Sequence, residues 1–156
     1  MFSAPMLELH QTIPPLTART PTGHVVRAWD YKPKKNVVVA FLHADCRRCE
    51  HFLLRCAESA VQLTEREAVA LVIFSEVPPA ALTGNLPREV VAAAEMGGHA
   101  QRDYLGKDAF GPAGQQRVGV FVADRYGELV AQWVGGDDAL PGIGDALSWL
   151  SRIEEP

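Results

Sequence analysis

Two cysteines separated by two residues, Cys46 and Cys49, are the side chains of this sequence whose type and spacing most clearly allow chemistry. They come directly after a run of strand-forming residues, VVVAFLH, at positions 37–43. A pair with this spacing can exchange disulfides, or it can supply half of a metal site. A strand before the pair, followed by a helix and a second strand after it, favours disulfide exchange.

The predicted start of a helix at Cys46 gives this sulfur a specific environment. Unpaired backbone N–H groups and the positive end of the helix dipole stabilise a thiolate there. Arg47 and Arg48 add positive charge, and we expect them, with the helix end, to outweigh the negative charge of Asp45. Cys49, one turn along the helix, is placed to attack a mixed disulfide at the first sulfur. Cys46 is therefore predicted to be the nucleophile and Cys49 the resolving cysteine.

Two histidines and a third cysteine lie near this pair. An imidazole at His43 or His51 could tune the thiolate or carry a proton, although His43 is also suited to end the strand and His51 to face solvent. The two cysteines and one histidine make three metal ligands, and no second C-x-x-C or H-x-x-x-H motif supplies a fourth, so no metal is predicted. Cys56 lies roughly 10 Å along the helix from Cys49. That distance is too long for a disulfide, so Cys56 is predicted to be a core residue.

The elements that position the pair follow from hydrophobic periodicity and turn residues. Predicted strands cover residues 24–29, 36–43, 68–74, 117–124 and 128–134, and predicted helices cover 48–65, 87–96 and 146–153. The first strand should form a hairpin with a partner near 16–19, and the last two strands should form a second hairpin. Gly97-Gly98 is predicted to end the second helix, and 135–138 to form a turn before the last one. The order indicates an α/β fold whose two central strands are parallel.

Composition limits the remaining possibilities. The chain has 156 residues, 47% of them hydrophobic, and a formal net charge of −4, which predicts one domain over residues 1–156 and no nucleic-acid partner. Its apolar runs are shorter than the roughly 20 residues of a membrane span, and its N-terminus lacks the pattern of an export signal. We therefore expect a cytoplasmic protein without a membrane partner. Three cysteines do not make a disulfide framework, so chemistry or packing must explain them.

Two segments carry a resemblance to a known family: IPPLTARTPTGHVVRAWDYKPKKNVVVAFLHADCRRC, at positions 13–49, and VGVFVADRYGELVAQW, at positions 118–133. They resemble the thioredoxin-like redoxins, which include the alkyl hydroperoxide reductase/thiol-specific antioxidant proteins and related thiol–disulfide reductases. The resemblance implies a thioredoxin fold, with a central mixed sheet flanked by helices and an N-terminal hairpin extension. It also implies a thiol–disulfide oxidoreductase that acts on protein or small-molecule disulfides, is reset by an external thiol reductant and needs no cofactor.

The sequence departs from this family at positions that bear on function. Asp45 stands where the reductases usually have tryptophan, and Arg117 and Val118 stand where a cis-proline usually faces the cysteines. These departures keep open an alternative, a redoxin-like binding or sensing module without turnover, which could bind metal through its cysteines. A peroxiredoxin-like thiol peroxidase is a further alternative. It is less favoured, because His43 stands three positions before Cys46, where that class has threonine.

Overall fold

A computed structural model describes residues 7–112 and 114–154 of the protein. The strands, in chain order, are β1 (Thr17–Arg19), β2 (Val25–Arg27), β3 (Asn36–Phe41), β4 (Ala68–Phe74), β5 (Val90–Ala94), β6 (Val118–Ala123) and β7 (Leu129–Gly135). The α-helices are α1 (Arg47–Glu58), α2 (Ala60–Glu65), α3 (Ala80–Thr83), α4 (His99–Leu105) and α5 (Ile143–Glu154). Short 3₁₀ helices cover Ala28–Tyr31 and Asp137–Ala139.

The seven strands form one mixed sheet in the order β2-β1-β5-β4-β3-β6-β7. Strands β3, β4 and β5 are parallel to one another, whereas β6 is antiparallel to β3 and β7 is antiparallel to β6. The predicted central position of β3 is confirmed, as are the parallel pairing of β3 with β4 and both hairpins. The β1–β2 hairpin extends the sheet at the edge next to β5.

Both faces of the sheet are covered, because alternate residues of each central strand point to opposite sides. In β3, Val38 and Ala40 pack on the face covered by α1 and α5, whereas Val39 and Phe41 pack on the face covered by α4. All six residues of β3 are buried. A strand covered on both sides needs a continuous apolar run, which is why this segment could be recognised from the sequence.

The prediction of a helix over residues 87–96 is wrong. This segment forms β5, which pairs in parallel with β4 from Ala70↔Val90 to Phe74↔Ala94. Its alanines favour helix as isolated residues, but in the folded chain they lie buried beside β4. Tertiary pairing therefore overrides a local preference that the sequence alone suggested.

Two helix boundaries also differ from the prediction. The predicted helix over 48–65 is divided at Ser59, whose ψ of 17° ends α1 and whose backbone N–H donates to the Cys56 carbonyl. Gly98, which we expected near a helix end, instead precedes α4 with a left-handed φ of +78°. The side chain of Glu95 accepts hydrogen bonds from the N–H groups of Gly97 and Ala100 at the start of this helix. Among the helices of the described residues, none is long and apolar enough to span a bilayer.

Candidate active site: the Cys46–Cys49 pair

The turn between β3 and α1 positions the first cysteine. Strand β3 ends at Phe41, and α1 begins at Arg47, so Cys46 is the N-cap of the helix, with an extended backbone. Its Sγ accepts a hydrogen bond of 3.0 Å from the backbone N–H of Cys49. An N-cap side chain normally satisfies one of the unpaired N–H groups of the first turn, and here a sulfur does so. The predicted location of Cys46 at a helix N-terminus is confirmed, whereas its role as nucleophile stays a prediction.

Both cysteines of the pair are free thiols and are almost fully covered, with exposed fractions of 3% for Cys46 and 1% for Cys49. Burial raises the pKa of the Cys49 thiol well above its ordinary value, and its hydrogen bond with Cys46 raises it further. A backbone hydrogen bond from His43 acts in the opposite direction but is outweighed. Cys49 therefore holds its proton at neutral pH, which suits a resolving thiol that reacts second.

An imidazole and a carboxylate complete the cluster around the two sulfurs. His43 Nε2 lies 2.7 Å from Asp137 Oδ1, which is hydrogen-bonding distance. One side-chain donor atom from each of His43, Cys46, Cys49 and Asp137 lies within 4.8 Å of the other three. The side chains of His43 and Asp137 are 23% and 48% exposed, so they form the solvent side of a cluster whose sulfurs lie inside. The arrangement can move a proton near the thiols, or hold a cation.

A cleft of about 800 Å³ opens beside this cluster, at the edge of the sheet where β3 and β4 end. His43 and Asp137 line it, together with three further carboxylates, those of Asp45, Glu76 and Asp108. Arg117 is the one arginine or lysine in its described lining. Clefts at the carboxyl ends of parallel strands are the usual binding sites of open α/β sheets. The charge of this cleft is predominantly negative.

The predicted thiolate-tuning residues divide between two surfaces. His43 lies with the sulfurs, and Asp45 is exposed and lines the acidic cleft. Arg47 and Arg48 are exposed and line a separate groove between α1 and the segment before α5. His51 also lines that groove, and its Nε2 accepts a hydrogen bond from Arg55. Any effect of the two arginines on Cys46 must therefore act through space from the outer side of α1, and it stays a prediction.

Arg117 and Val118, which are predicted to face the cysteines, directly follow Gln116. Arg117 lines the same cleft as His43, and Val118 belongs to the buried cluster that includes both sulfurs. The Gln116 amide donates hydrogen bonds to the carbonyl of Leu42 at 3.2 Å and to that of Arg117 at 3.1 Å. This side chain ties the facing loop to the residue just before His43. Gln116 could not be predicted from the sequence, since a single glutamine before a strand carries no functional signal.

Cys56 lies in the core, as predicted. It is fully buried on the inner side of α1 and belongs to the same apolar cluster as Cys46, Cys49 and Leu150. Burial raises the pKa of its thiol to about 12, so it stays protonated over the physiological range. Among the described residues, the cluster formed by His43, Asp137 and the cysteine pair does not include Cys56, so this buried thiol is a packing residue rather than a nucleophile.

Asp137 is the residue of this cluster that the sequence analysis missed. No cysteine or histidine motif marks a fourth metal ligand in the sequence, and residues 135–138 are predicted to form only a turn. The order of strands explains its position, because β3 and β7 are both antiparallel to β6 and therefore run in the same direction. The residues that follow both strands therefore lie at one edge of the sheet. Asp137 follows β7 as His43 follows β3.

Several solved structures share this architecture. A peroxidoxin BcpB from Mycobacterium tuberculosis superposes with a TM-score of 0.78 at 17% identity, covering 96% of this chain and 99% of that one. A mitochondrial 2-Cys peroxiredoxin from Plasmodium falciparum gives 0.74 at 12% identity, covering 94% of each chain. A putative thiol:disulfide interchange protein DsbE from Chlorobium tepidum gives 0.69 at 19% identity, covering 94% of this chain and 97% of that one. The chain has the thioredoxin-like fold of the redoxins.

This fold confirms what the resemblance implied about architecture, including the mixed sheet flanked by helices and the N-terminal hairpin. No protein-family model matches the sequence, and a search of curated proteins finds no match. At identities of 12–19%, the structural likeness establishes the fold, which hosts more than one activity. The function must be argued from the residues of the site.

Proposed function

We propose that this redoxin-fold protein is a thiol–disulfide oxidoreductase that uses Cys46 and Cys49. The observation that carries the proposal is the position of Cys46 Sγ at the N-terminus of α1, where it accepts the N–H of Cys49. A backbone N–H directed at a sulfur stabilises the thiolate more than the neutral thiol. The raised pKa of Cys49 makes it the thiol that keeps its proton until the second exchange.

The reaction proceeds in two exchanges. The Cys46 thiolate attacks one sulfur of a substrate disulfide, forms a mixed disulfide and releases the other substrate sulfur as a thiolate. Cys49 loses its proton and attacks the Cys46 sulfur, which releases the second substrate thiolate and leaves a Cys46–Cys49 disulfide. The substrate gains two electrons, and the cysteine pair loses two. An external dithiol must return these electrons before another turnover.

Resolution needs a proton acceptor, because burial keeps Cys49 protonated. The His43 imidazole lies within 4.8 Å of both sulfurs and is held at Nε2 by Asp137. An imidazole can take the Cys49 proton, and the Asp137 carboxylate orients the ring through its hydrogen bond to Nε2. We assign His43 as the proton acceptor and Asp137 as the residue that positions it.

A reductase assay with an insulin-type protein disulfide and an excess of external dithiol tests this proposal. The wild-type chain should accelerate reduction, and Cys46→Ser should bring the rate to that of the dithiol alone. Cys56→Ala is the matched control, since it removes a thiol from the core and should keep the activity. Equal rates for wild type and Cys46→Ser would refute the proposal.

One observation favours a second function, a redoxin-like binding or sensing module that does not turn over. Both sulfurs of the pair are covered, with at most 3% of either residue exposed, so a bulky disulfide must displace part of the His43–Asp137 cover. Reaction of the native protein with a small aromatic disulfide reagent separates the two functions. Rapid modification of one thiol supports the oxidoreductase, and modification only on unfolding supports the binding module.

Peroxide reduction at Cys46 has less support from this site. His43, which stands where peroxiredoxins place a hydroxyl residue, is hydrogen-bonded to Asp137. The peroxiredoxin structures that superpose on the chain share its fold at low identity. Consumption of hydrogen peroxide with a thiol donor, at a rate above that of free cysteine, would support this alternative.

A further inference from the structure

The four side chains at the Cys46–Cys49 pair have a composition that disulfide exchange does not require. They offer two cysteine sulfurs, which become thiolates when a metal displaces their protons, one imidazole nitrogen and one carboxylate oxygen, and these donor atoms all lie within 4.8 Å of one another. Two cysteines with one histidine and one aspartate make a set of donors that suits zinc, which prefers sulfur and nitrogen and accepts oxygen. We propose that the reduced protein binds one Zn²⁺ through Cys46, Cys49, His43 and Asp137.

The distances leave room for a tetrahedral ion. Zinc–sulfur bonds of about 2.3 Å and zinc–nitrogen or –oxygen bonds of about 2.0–2.2 Å place ligand atoms roughly 3.3–3.8 Å apart. His43 Nε2 and Asp137 Oδ1 lie 2.7 Å apart, and no pair of the four donor atoms exceeds 4.8 Å. Shifts of about 1 Å in partly exposed side chains convert the hydrogen-bonded cluster into a coordination shell.

The surroundings of the cluster also favour a cation. Asp45, Glu76 and Asp108 line the cleft onto which His43 and Asp137 open, so the approach to the sulfurs is acidic. A cleft lined by one sign of charge raises the local concentration of ions of the opposite sign. The hydrogen bond from the Cys49 N–H to Cys46 Sγ can persist when that sulfur is a metal-bound thiolate.

Zinc binding and disulfide formation exclude each other, because both need the two sulfurs. A Cys46–Cys49 disulfide removes two of the four ligands, so only the reduced chain should bind. The inference rests on donor chemistry and distances and does not require that the protein turn over a disulfide substrate. Reduced protein that binds zinc yet shows no reductase activity would support the metal site while refuting the proposed function.

Titration of the fully reduced chain with ZnCl₂, against a chromophoric chelator and with a phosphine as reductant, tests the site. One equivalent should bind, and the protein oxidised at Cys46–Cys49 should bind none. Loss of a residue that only hydrogen-bonds a metal ligand typically lowers metal affinity roughly 10–100-fold. Asp137→Asn changes a ligand itself, so it should weaken zinc binding by at least that factor. Asp138→Asn, which alters the neighbouring carboxylate of the same turn, is the matched control and should bind as wild type.

Cobalt substitution reports the ligands directly. Co²⁺ in the reduced chain should show thiolate charge-transfer absorption and the intense visible bands of a tetrahedral site, and Cys46→Ser should lose part of the charge-transfer band. His43→Gln should weaken the visible bands while the circular dichroism of the fold is unchanged. Absence of stoichiometric zinc binding by the reduced chain would overturn the proposal. Affinity and cobalt spectrum unchanged by Asp137→Asn would overturn the four-ligand assignment.

Discussion

The two faces of the central sheet are built from alternate residues of the same strands, yet they are packed differently. The α4 face carries an aromatic cluster in which Tyr104 lies 5.0 Å from Phe41 and 5.2 Å from Phe121, measured between ring centroids. The α1 face carries the three cysteines among mainly aliphatic side chains, together with Phe52 and Phe74. Large rings bury much apolar area, whereas sulfurs are less bulky and can react.

The contrast shows how this fold separates stability from chemistry. The aromatic face contains a tyrosine whose hydroxyl donates to the Pro14 carbonyl at 2.6 Å and whose pKa is raised by burial. The cysteine face ends in a partly exposed imidazole and carboxylate beside an acidic cleft. Substitutions on the aromatic face should therefore change the free energy of unfolding. Substitutions at the site should change reaction rates.

Phe121→Ala should produce the largest loss of stability. Its ring packs against both other members of the aromatic cluster and is fully buried, so its removal leaves a cavity and should cost about 3–5 kcal/mol. Denaturant unfolding measures the loss, and Phe121→Leu, which keeps most of the volume, should lose less. The alkylation rate of Cys46 in the folded variant should match wild type. A large change in the alkylation rate without a loss of stability would contradict the claim that one face determines stability and the other chemistry.

Gly119→Ala should have a smaller effect on the same face. A Cβ at this position in β6 would lie 2.5 Å from Leu105 Cδ2 and 3.0 Å from the Phe121 ring. Forcing an extra methyl group into a packed core costs about 1–3 kcal/mol. Gly144→Ala is the matched control, because a Cβ there meets nothing within 4 Å and alanine favours the α5 helix. Equal stability of the two variants would show that β6 and α4 are less tightly packed than the distances indicate.

Asp137→Asn should leave stability nearly unchanged and slow the chemistry. Its side chain is half exposed, so unfolding should shift by no more than about 0.5 kcal/mol. Loss of the charge that orients His43 should slow the second exchange, the attack of Cys49 on Cys46, about tenfold. This is less than the roughly 10²–10⁴-fold that general acid–base catalysis contributes. Stopped-flow measurement with a chelator present, so that bound metal does not interfere, separates the two exchanges. Slowing of the first exchange alone would contradict the assigned role.

The sequence predicts those elements of the structure that depend on local interactions. β3 and β4 were recognised because strands buried on both faces are continuous apolar runs. β5 was not, because its alanines favour helix locally and only pairing with β4 makes them a strand. α4 was missed because seven residues after two glycines carry a weak periodic signal.

The residues of the candidate site can also be divided into those placed by local sequence and those placed by long-range packing. The spacing of Cys46 and Cys49 and the start of α1 are local features, so the sequence predicted their arrangement. Asp137 lies 94 residues from His43, and only the order of strands brings the two together. Gln116 approaches Leu42 across 74 residues for the same reason.

The direct test of the central claim is to trap the mixed disulfide with Cys49→Ser. If Cys46 is the nucleophile and Cys49 resolves, this variant, given a small disulfide substrate, should accumulate a one-to-one adduct at Cys46, identified by peptide mass spectrometry. The wild-type chain should instead show a Cys46–Cys49 disulfide and no stable adduct. An adduct on Cys56, or no adduct in the folded variant, would contradict the account.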